Sequence, residues 1–283
     1  MSTPEVVAHR GATDAEAPEH TMAAYRQAAA VGADAVECDV RMTRDGVLVC
    51  VHDRRVHRTS NGRGVVSTLH LAELEQMQFG PRRSRRSPWK DDEITVALDE
   101  PDLENGTVLT LERLLEYVTA TPDTVRLAIE TKHPTRHARR VEQELVRCLR
   151  RFGLLDGDRP VEWRGKPAFR VMSFSQLAVR RVRALAPGVP TVQLIGKRLR
   201  PVRTDLLSGS MSAVGPGLAL LRAHPDYVAQ AHAAGKQVHV WVANEPEDVD
   251  FLHDLGVDAL ITDRPGDVLR HIGRGPRETG LPA

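Results

Sequence analysis

In the stretch VECDVRMTRDGVLVCVHD, Glu37 and Asp39 interrupt one apolar, β-branched run, and His52-Asp53 close a second one. Residues two apart on a strand share a face, so Glu37 and Asp39 point the same way, as do Glu130 and Lys132 in LAIETK. Carboxylates gathered on one surface repel each other unless a positive charge sits between them. A lone buried glutamate more often pairs with arginine than binds a metal, but three converging acids favour the metal. Oxygen-only ligands from Glu37, Asp39 and Glu130 suit one hard divalent cation, Mg2+ or Ca2+, rather than zinc.

His9 and Arg10 end an apolar run in VVAHRG, and Gly11 lets the chain turn sharply there. Arg10 suits bidentate contact with a pair of phosphate oxygens. Two histidines at the ends of different elements, beside Arg, Lys and a divalent cation, describe in-line displacement at phosphorus. One of His9 and His52 accepts a proton from the nucleophile and the other donates one to the leaving alkoxide. The residues alone leave open which is which. Arg10, Lys132 and the cation stabilise charge on the non-bridging oxygens.

These groups need a scaffold that brings strand ends together. Short apolar runs at 5–9, 35–41, 125–131, 169–174, 191–195, 211–215, 237–243 and 258–262 alternate with helical stretches such as TMAAYRQAAA and PEDVDFLHDLG. That alternation predicts a closed α/β TIM (β/α)8 barrel, with the site at the strand C-termini, in a single domain over 1–283. VLVCVH follows the second strand too closely for a parallel crossover, so it pairs antiparallel as a hairpin extension of that strand. A two-residue turn at Asp45-Gly46 places His52 opposite Asp39; a G1 bulge shifts the register by one. Between the second and third strands lies a long excursion, about residues 53–124. It contains the helix-like STLHLAELEQMQFG and the basic run PRRSRRSPWK, which reads as a solvated loop or as a lid over an anionic substrate.

The chain has 39 basic and 38 acidic residues and a formal charge of +1, so no global field draws nucleic acid or an acidic partner. Cys38, Cys50 and Cys148 fit no metal spacing and point to free thiols in a reducing compartment. The N-terminus lacks a basic and apolar leader, and no stretch of about 18 apolar residues occurs. A cytoplasmic protein without a transmembrane segment is expected; the oligomeric state stays open.

The blocks AHRG, APEHT, GADAVECDVRMTRDGVLVCVHD and RTSNGRG, followed by LAIETK, MSFSQ, VHVWVANEPED and LGVDALITDRP, resemble the glycerophosphodiester phosphodiesterase family in the same order. The resemblance implies a TIM barrel and metal-dependent hydrolysis of small-molecule glycerophosphodiesters to sn-glycerol 3-phosphate and an alcohol. It implies His9 and His52 as the acid/base pair, Arg10 and Lys132 on phosphate, and Glu37, Asp39 and Glu130 on the metal. Trp241 would lie against the glycerol moiety. The chain departs from the family pattern at His20, where Asn is usual, and at Thr131; Glu19 is expected to stay beside the catalytic groups.

Other readings use the same residues. A phospholipase D-like enzyme acting on lysophospholipids would release a cyclic phosphate. Lys132 could form a Schiff base as in barrel aldolases, against which the carboxylates argue. A non-catalytic phosphodiester-binding barrel is the alternative outside enzymology. His133 and His137 read as surface residues because Pro134 breaks a shared helix, Ser173 as structural, and Asn244 and Asp263 as either supports of the site or turn residues.

Overall fold

Each of the eight apolar runs forms a strand in the computed structural model, which describes residues 3–13, 17–80, 106–120, 125–137, 139–196 and 210–275. In chain order the barrel strands are β1 (Glu5–Ala8), β2 (Ala35–Met42), β4 (Arg126–Thr131), β9 (Phe169–Ser173), β10 (Thr191–Ile195), β11 (Ala213–Pro216), β12 (Gln237–Trp241) and β13 (Ala259–Thr262). All neighbours run parallel, and β1 pairs with both β2 and β13, which closes the barrel. Strand β3 (Leu48–Cys50) lies antiparallel on β2 outside that ring. Two small ribbons, β5 (Leu155–Asp156) with β6 (Arg159–Pro160) and β7 (Glu162–Trp163) with β8 (Lys166–Pro167), precede β9.

The helices cover the outside. They are α1 (Met22–Ala30), α2 (Leu71–Glu75), α3 (Leu111–Ala120), α4 (Arg140–Arg151), α5 (Gln176–Leu185), α6 (Leu218–Ala223), α7 (Tyr227–Ala233), α8 (Pro246–Asp254) and α9 (Pro265–His271). Local chemistry sets their ends. The Thr21 hydroxyl caps α1 by accepting from Ala24 N, and Gly32 follows the helix at φ +87°. Pro246 and Pro265 open α8 and α9, where a missing N–H costs nothing. Leucines, valines and alanines from the strands' outer faces and the helices fill two large clusters between the layers. Each fully buried Leu or Val contributes about 1.5–3 kcal/mol.

Inside the ring, Val7, Ala35, Ala128, Met172, Val192, Ala213, Ala259 and Ile261 pack into an apolar plug. The inward side chains one step toward the strand N-termini are charged. Glu5 accepts from Arg170 at 2.9 Å and pairs with Arg126 at 3.3 Å, and burial with the Arg170 charge pushes the nearby His239 down to about 3. One step the other way come Glu37, Asp39, Glu130 and Lys132. The plug therefore floors the site.

The hairpin register differs from the two-residue turn. Val40 faces Cys50 and Met42 faces Leu48, so Val51, not His52, lies beside Asp39, with Val51 N donating to Asp39 O at 2.9 Å. The loop is three residues, Arg44-Asp45-Gly46, with Gly46 at φ +95° and Thr43 N donating to Val47 O at 2.9 Å. A glycine in the left-handed region after the turn is the G1 bulge arrangement. The excursion docks on this hairpin through a cluster of its own, in which Val49 and Val51 meet Val56, Val66, Leu74 and Phe79. Its helix-like segment forms an α-helix only over Leu71–Glu75, after a short 3-10 helix at Val66–Thr68. The basic run at 81–90, and with it the lid reading, lies outside the described residues.

Candidate active site

Glu37, Asp39 and Glu130 are 2%, 1% and 6% exposed, and one oxygen from each lies within 4.8 Å of the other two. Strand alternation brings this about, because β2 and β4 pair with Asp39 level with Glu130. Two cations already stand among them. Lys132 Nζ lies 2.8 Å from both Asp39 Oδ1 and Glu130 Oε1, and Arg10 Nε is 3.1 Å from Asp39 Oδ2. Arg10 N donates to Glu37 Oε2 at 3.0 Å from a left-handed backbone at φ +59°. A non-glycine residue held there marks a position fixed by its surroundings.

The three carboxyls are not equivalent. Burial works to raise Asp39, but the hydrogen bond from His20 and the Lys132 and Arg10 charges outweigh it and hold Asp39 well below the usual range. Burial and repulsion from its neighbours raise Glu37 well above its ordinary value, and burial with the Asp39 charge pushes Glu130 up to about 7. Two glutamates that resist ionising side by side are short of positive charge, even with Lys132 and Arg10 in place. Asp39 Oδ1 is moreover buried without an aligned hydrogen bond. A hard cation fits this donor set on both counts.

The two candidate acid/base histidines are each oriented by a carboxylate. His9 Nδ1 donates to Asp263 Oδ1 at 2.7 Å, and Asn244 Nδ2 donates to Asp263 Oδ2 at 2.7 Å. His52 Nδ1 donates to Asp53 Oδ1 at 2.7 Å, while Arg58 Nε donates to Asp53 Oδ2 at 2.5 Å. Holding Nδ1–H leaves each Nε2 free to act on a proton. Burial, against the pull of Asp39, pushes His52 down to about 4, so it is neutral near pH 7.

A cavity of about 160 Å3 joins these groups. Its polar side is His9, Arg10, Glu37, His52, Glu130 and Lys132; its apolar side is Met172, Phe174, Leu194, Trp241, Val242 and Ile261. Trp241 Nε1 donates to Gly215 O at 2.8 Å, and Phe174 meets the Trp241 ring edge-on at 5.4 Å between centroids. All eight residues singled out in the sequence thus converge, seven on the cavity wall and Asp39 behind it.

Sequence reasoning gave no role to several others here. His20 is buried, with Nε2 donating to Asp39 Oδ2 at 2.9 Å and Nδ1 accepting from Tyr25 Oη at 2.7 Å. Glu19, expected only to stay beside the catalytic groups, accepts from Arg10 at 3.1 Å and from Arg58 at 2.6 and 2.7 Å. Asp53 stands next to His52 in sequence, a local signal that could have found it. His133 instead bonds Glu142 at 2.8 Å, and the Ser173 hydroxyl donates to Thr131 O at 2.8 Å, so neither joins the site.

The profile of the glycerophosphoryl diester phosphodiesterase family matches residues 9–267. The chain belongs to that family. The Mycobacterium tuberculosis protein named "Probable glycerophosphodiester phosphodiesterase 1" is 43% identical over 271 residues, covering 93% of this chain and 90% of that one. A Bacillus subtilis protein named glycerophosphodiester phosphodiesterase is 30% identical over 272 residues, covering 95% and 86%. Among solved structures, an Oleispira antarctica phosphodiesterase in complex with sn-glycerol-3-phosphate superposes with a TM-score of 0.77 at 24% identity, covering 95% of this chain and 97% of that one. At that identity the likeness concerns the fold, and it agrees with the closed barrel described above.

Proposed function

We propose that the protein is a metal-dependent glycerophosphodiester phosphodiesterase that hydrolyses its substrate to sn-glycerol 3-phosphate and an alcohol. The observation that carries this is the pair of His–Asp dyads at the wall that also holds Glu37, Glu130, Arg10 and Lys132, with Asp39 behind it. Arg10 and Lys132 bind the scissile phosphate. Glu37, Asp39 and Glu130 hold one Mg2+ or Ca2+, which supplies charge withdrawal from the non-bridging phosphate oxygens. His52, neutral near pH 7 with its Nδ1–H fixed by Asp53, takes the proton of the nucleophile; His9, steadied by Asp263, returns one to the leaving alkoxide. Trp241 and Phe174 line the apolar wall against the glycerol carbons. Three free cysteines support a cytoplasmic enzyme, and the one closed barrel of the described residues supports a single domain.

Purified protein incubated with glycerophosphocholine and a divalent ion should release glycerol 3-phosphate, and a chelator should stop it. Failure to turn over any glycerophosphodiester under a panel of ions rejects the proposal. Phosphorus NMR of the products separates the monoester from the cyclic phosphate that phospholipase D-like chemistry would give. The acid role of His9 has its own check. His9→Ala should lose far less activity on a diester with a nitrophenol leaving group, which needs no proton, than on glycerophosphocholine.

A further inference from the structure

Beside the catalytic cavity lies a second cleft, of about 180 Å3, whose wall carries three arginines: Arg41, Arg54 and Arg136. Ser67 and Thr135 add hydroxyls to its wall. Thr135 Oγ1 accepts from His137 N at 3.2 Å, which leaves its own proton available to a ligand. None of the three arginines pairs with a carboxylate among the described residues. The acids whose charge reaches Arg41 are Asp39, Glu130 and Asp53, and each is in contact with another cation: Asp39 and Glu130 with Lys132, Asp53 with Arg58. Arginine side chains left together without acids make a ready seat for a phosphate, which accepts several parallel N–H bonds.

The cleft is wired to the catalytic centre. Arg41 Nε and Nη2 donate to the His52 carbonyl at 3.0 and 2.7 Å, so one wall of the cleft begins where the catalytic histidine ends. The segment carrying Thr135 and Arg136 follows Lys132 by only a few residues. The cavity and the cleft thus meet at His52 and at the 132–136 segment, which is where the alcohol half of a diester seated on Arg10 and Lys132 would enter the cleft.

We propose that this cleft is a second anion subsite, which receives a phosphate borne by the alcohol half of the diester and so selects substrates with two phosphates a short polyol apart. The inference rests on the phosphodiesterase reading for the scissile phosphate. The test compares glycerophosphoglycerol with the same diester bearing a terminal phosphate on its second glycerol. Calorimetry on the full chain, with the divalent ion present and His9→Ala to block turnover, reads binding alone. Kinetics on the wild type read kcat/KM.

At low salt the terminal phosphate should improve both affinity and kcat/KM by at least tenfold, and the advantage should shrink as salt rises. Arg54→Ala with Arg136→Ala, both exposed positions, should abolish the advantage while leaving glycerophosphoglycerol unchanged; the matching lysine pair should restore part of it. Equal affinity for the two compounds, no measurable affinity for the phosphorylated one, or an advantage that survives the double alanine change, overturns the subsite. Tighter binding of the phosphorylated compound with no turnover of either by wild type leaves the subsite standing and overturns the hydrolase reading instead.

Discussion

Each candidate catalytic imidazole has its Nδ1 fixed by an aspartate, and the aspartate is fixed in turn, by Arg58 for Asp53 and by Asn244 for Asp263. The value of this lies in the tautomer: an acceptor at Nδ1 keeps the proton there and Nε2 open. Asp53→Asn turns that acceptor into an amide able to donate, and pairing it with Nδ1 would put the proton on Nε2. We expect kcat on glycerophosphocholine to fall by about two to four orders of magnitude, the range of a general acid or base. KM should change little, since Asp53 is placed to touch His52 rather than substrate; an unchanged kcat would remove the dyad from the mechanism. At this scale the sequence was most legible where chemistry and spacing coincide: Glu37 with Asp39, and Glu130 with Lys132, because alternation on a strand is a local rule. Asp263 is legible only as one of two readings, a support of the site or a turn residue, since its bond to His9 spans 254 positions in the chain. In the sequence His20 stands out only as a departure from a family pattern, and its bond to Asp39 depends on the loop that folds it inward.

Elements were read well where a run of apolar residues admits one structure and poorly where a turn admits two. All eight barrel strands are visible because each buried run is short and bounded, and most are followed by a helix signal. The hairpin register was not, because Asp-Gly serves both a two-residue turn and the three-residue loop with a G1 bulge that the chain adopts. One slip of a residue moved His52 from beside Asp39 to the position after it. The turn after β1 is the other place where backbone decides the site. Gly11 has φ +95°, and a Cβ there would meet Ala24 C and Cβ at 2.7 Å, on the helix that packs beneath the catalytic loop. A left-handed backbone and a contact with main chain are both costs an alanine cannot escape by changing rotamer. Gly11→Ala should lower stability by about 2 kcal/mol or more, read as a fall in Tm, and should also weaken activity because His9 and Arg10 sit on that turn. A variant with wild-type Tm and turnover would show that α1 yields to the added carbon.

At the scale of the whole molecule, the charge left in the carboxylate group links metal, protons and stability. In the ion-free protein Glu130 keeps its proton up to about 7 and Glu37 is also raised, whereas an unfolded chain gives up such protons near about 4.3. Between those values the folded state binds more protons than the unfolded one, so these two groups make stability fall as pH rises. His239 and His52, held down to about 3 and about 4, act in the opposite direction below about 6.5. Both are neutral in the folded protein above pH 5 with or without the ion, so their contribution cancels when the two forms are compared. A divalent cation binds the ionised carboxylates and must expel the protons, which makes its affinity climb with pH. The increment in Tm on adding Mg2+ or Ca2+ should therefore be small at pH 5 and grow steeply through pH 7. With the ion at a hundred times its Kd the stabilisation reaches about 2.7 kcal/mol. Scanning calorimetry across pH 5–8, with chelator or ion, measures it directly, and Glu37→Gln with Glu130→Gln should abolish the increment. An increment that is the same at pH 5 and pH 8 would mean the ion is held by groups other than these carboxylates.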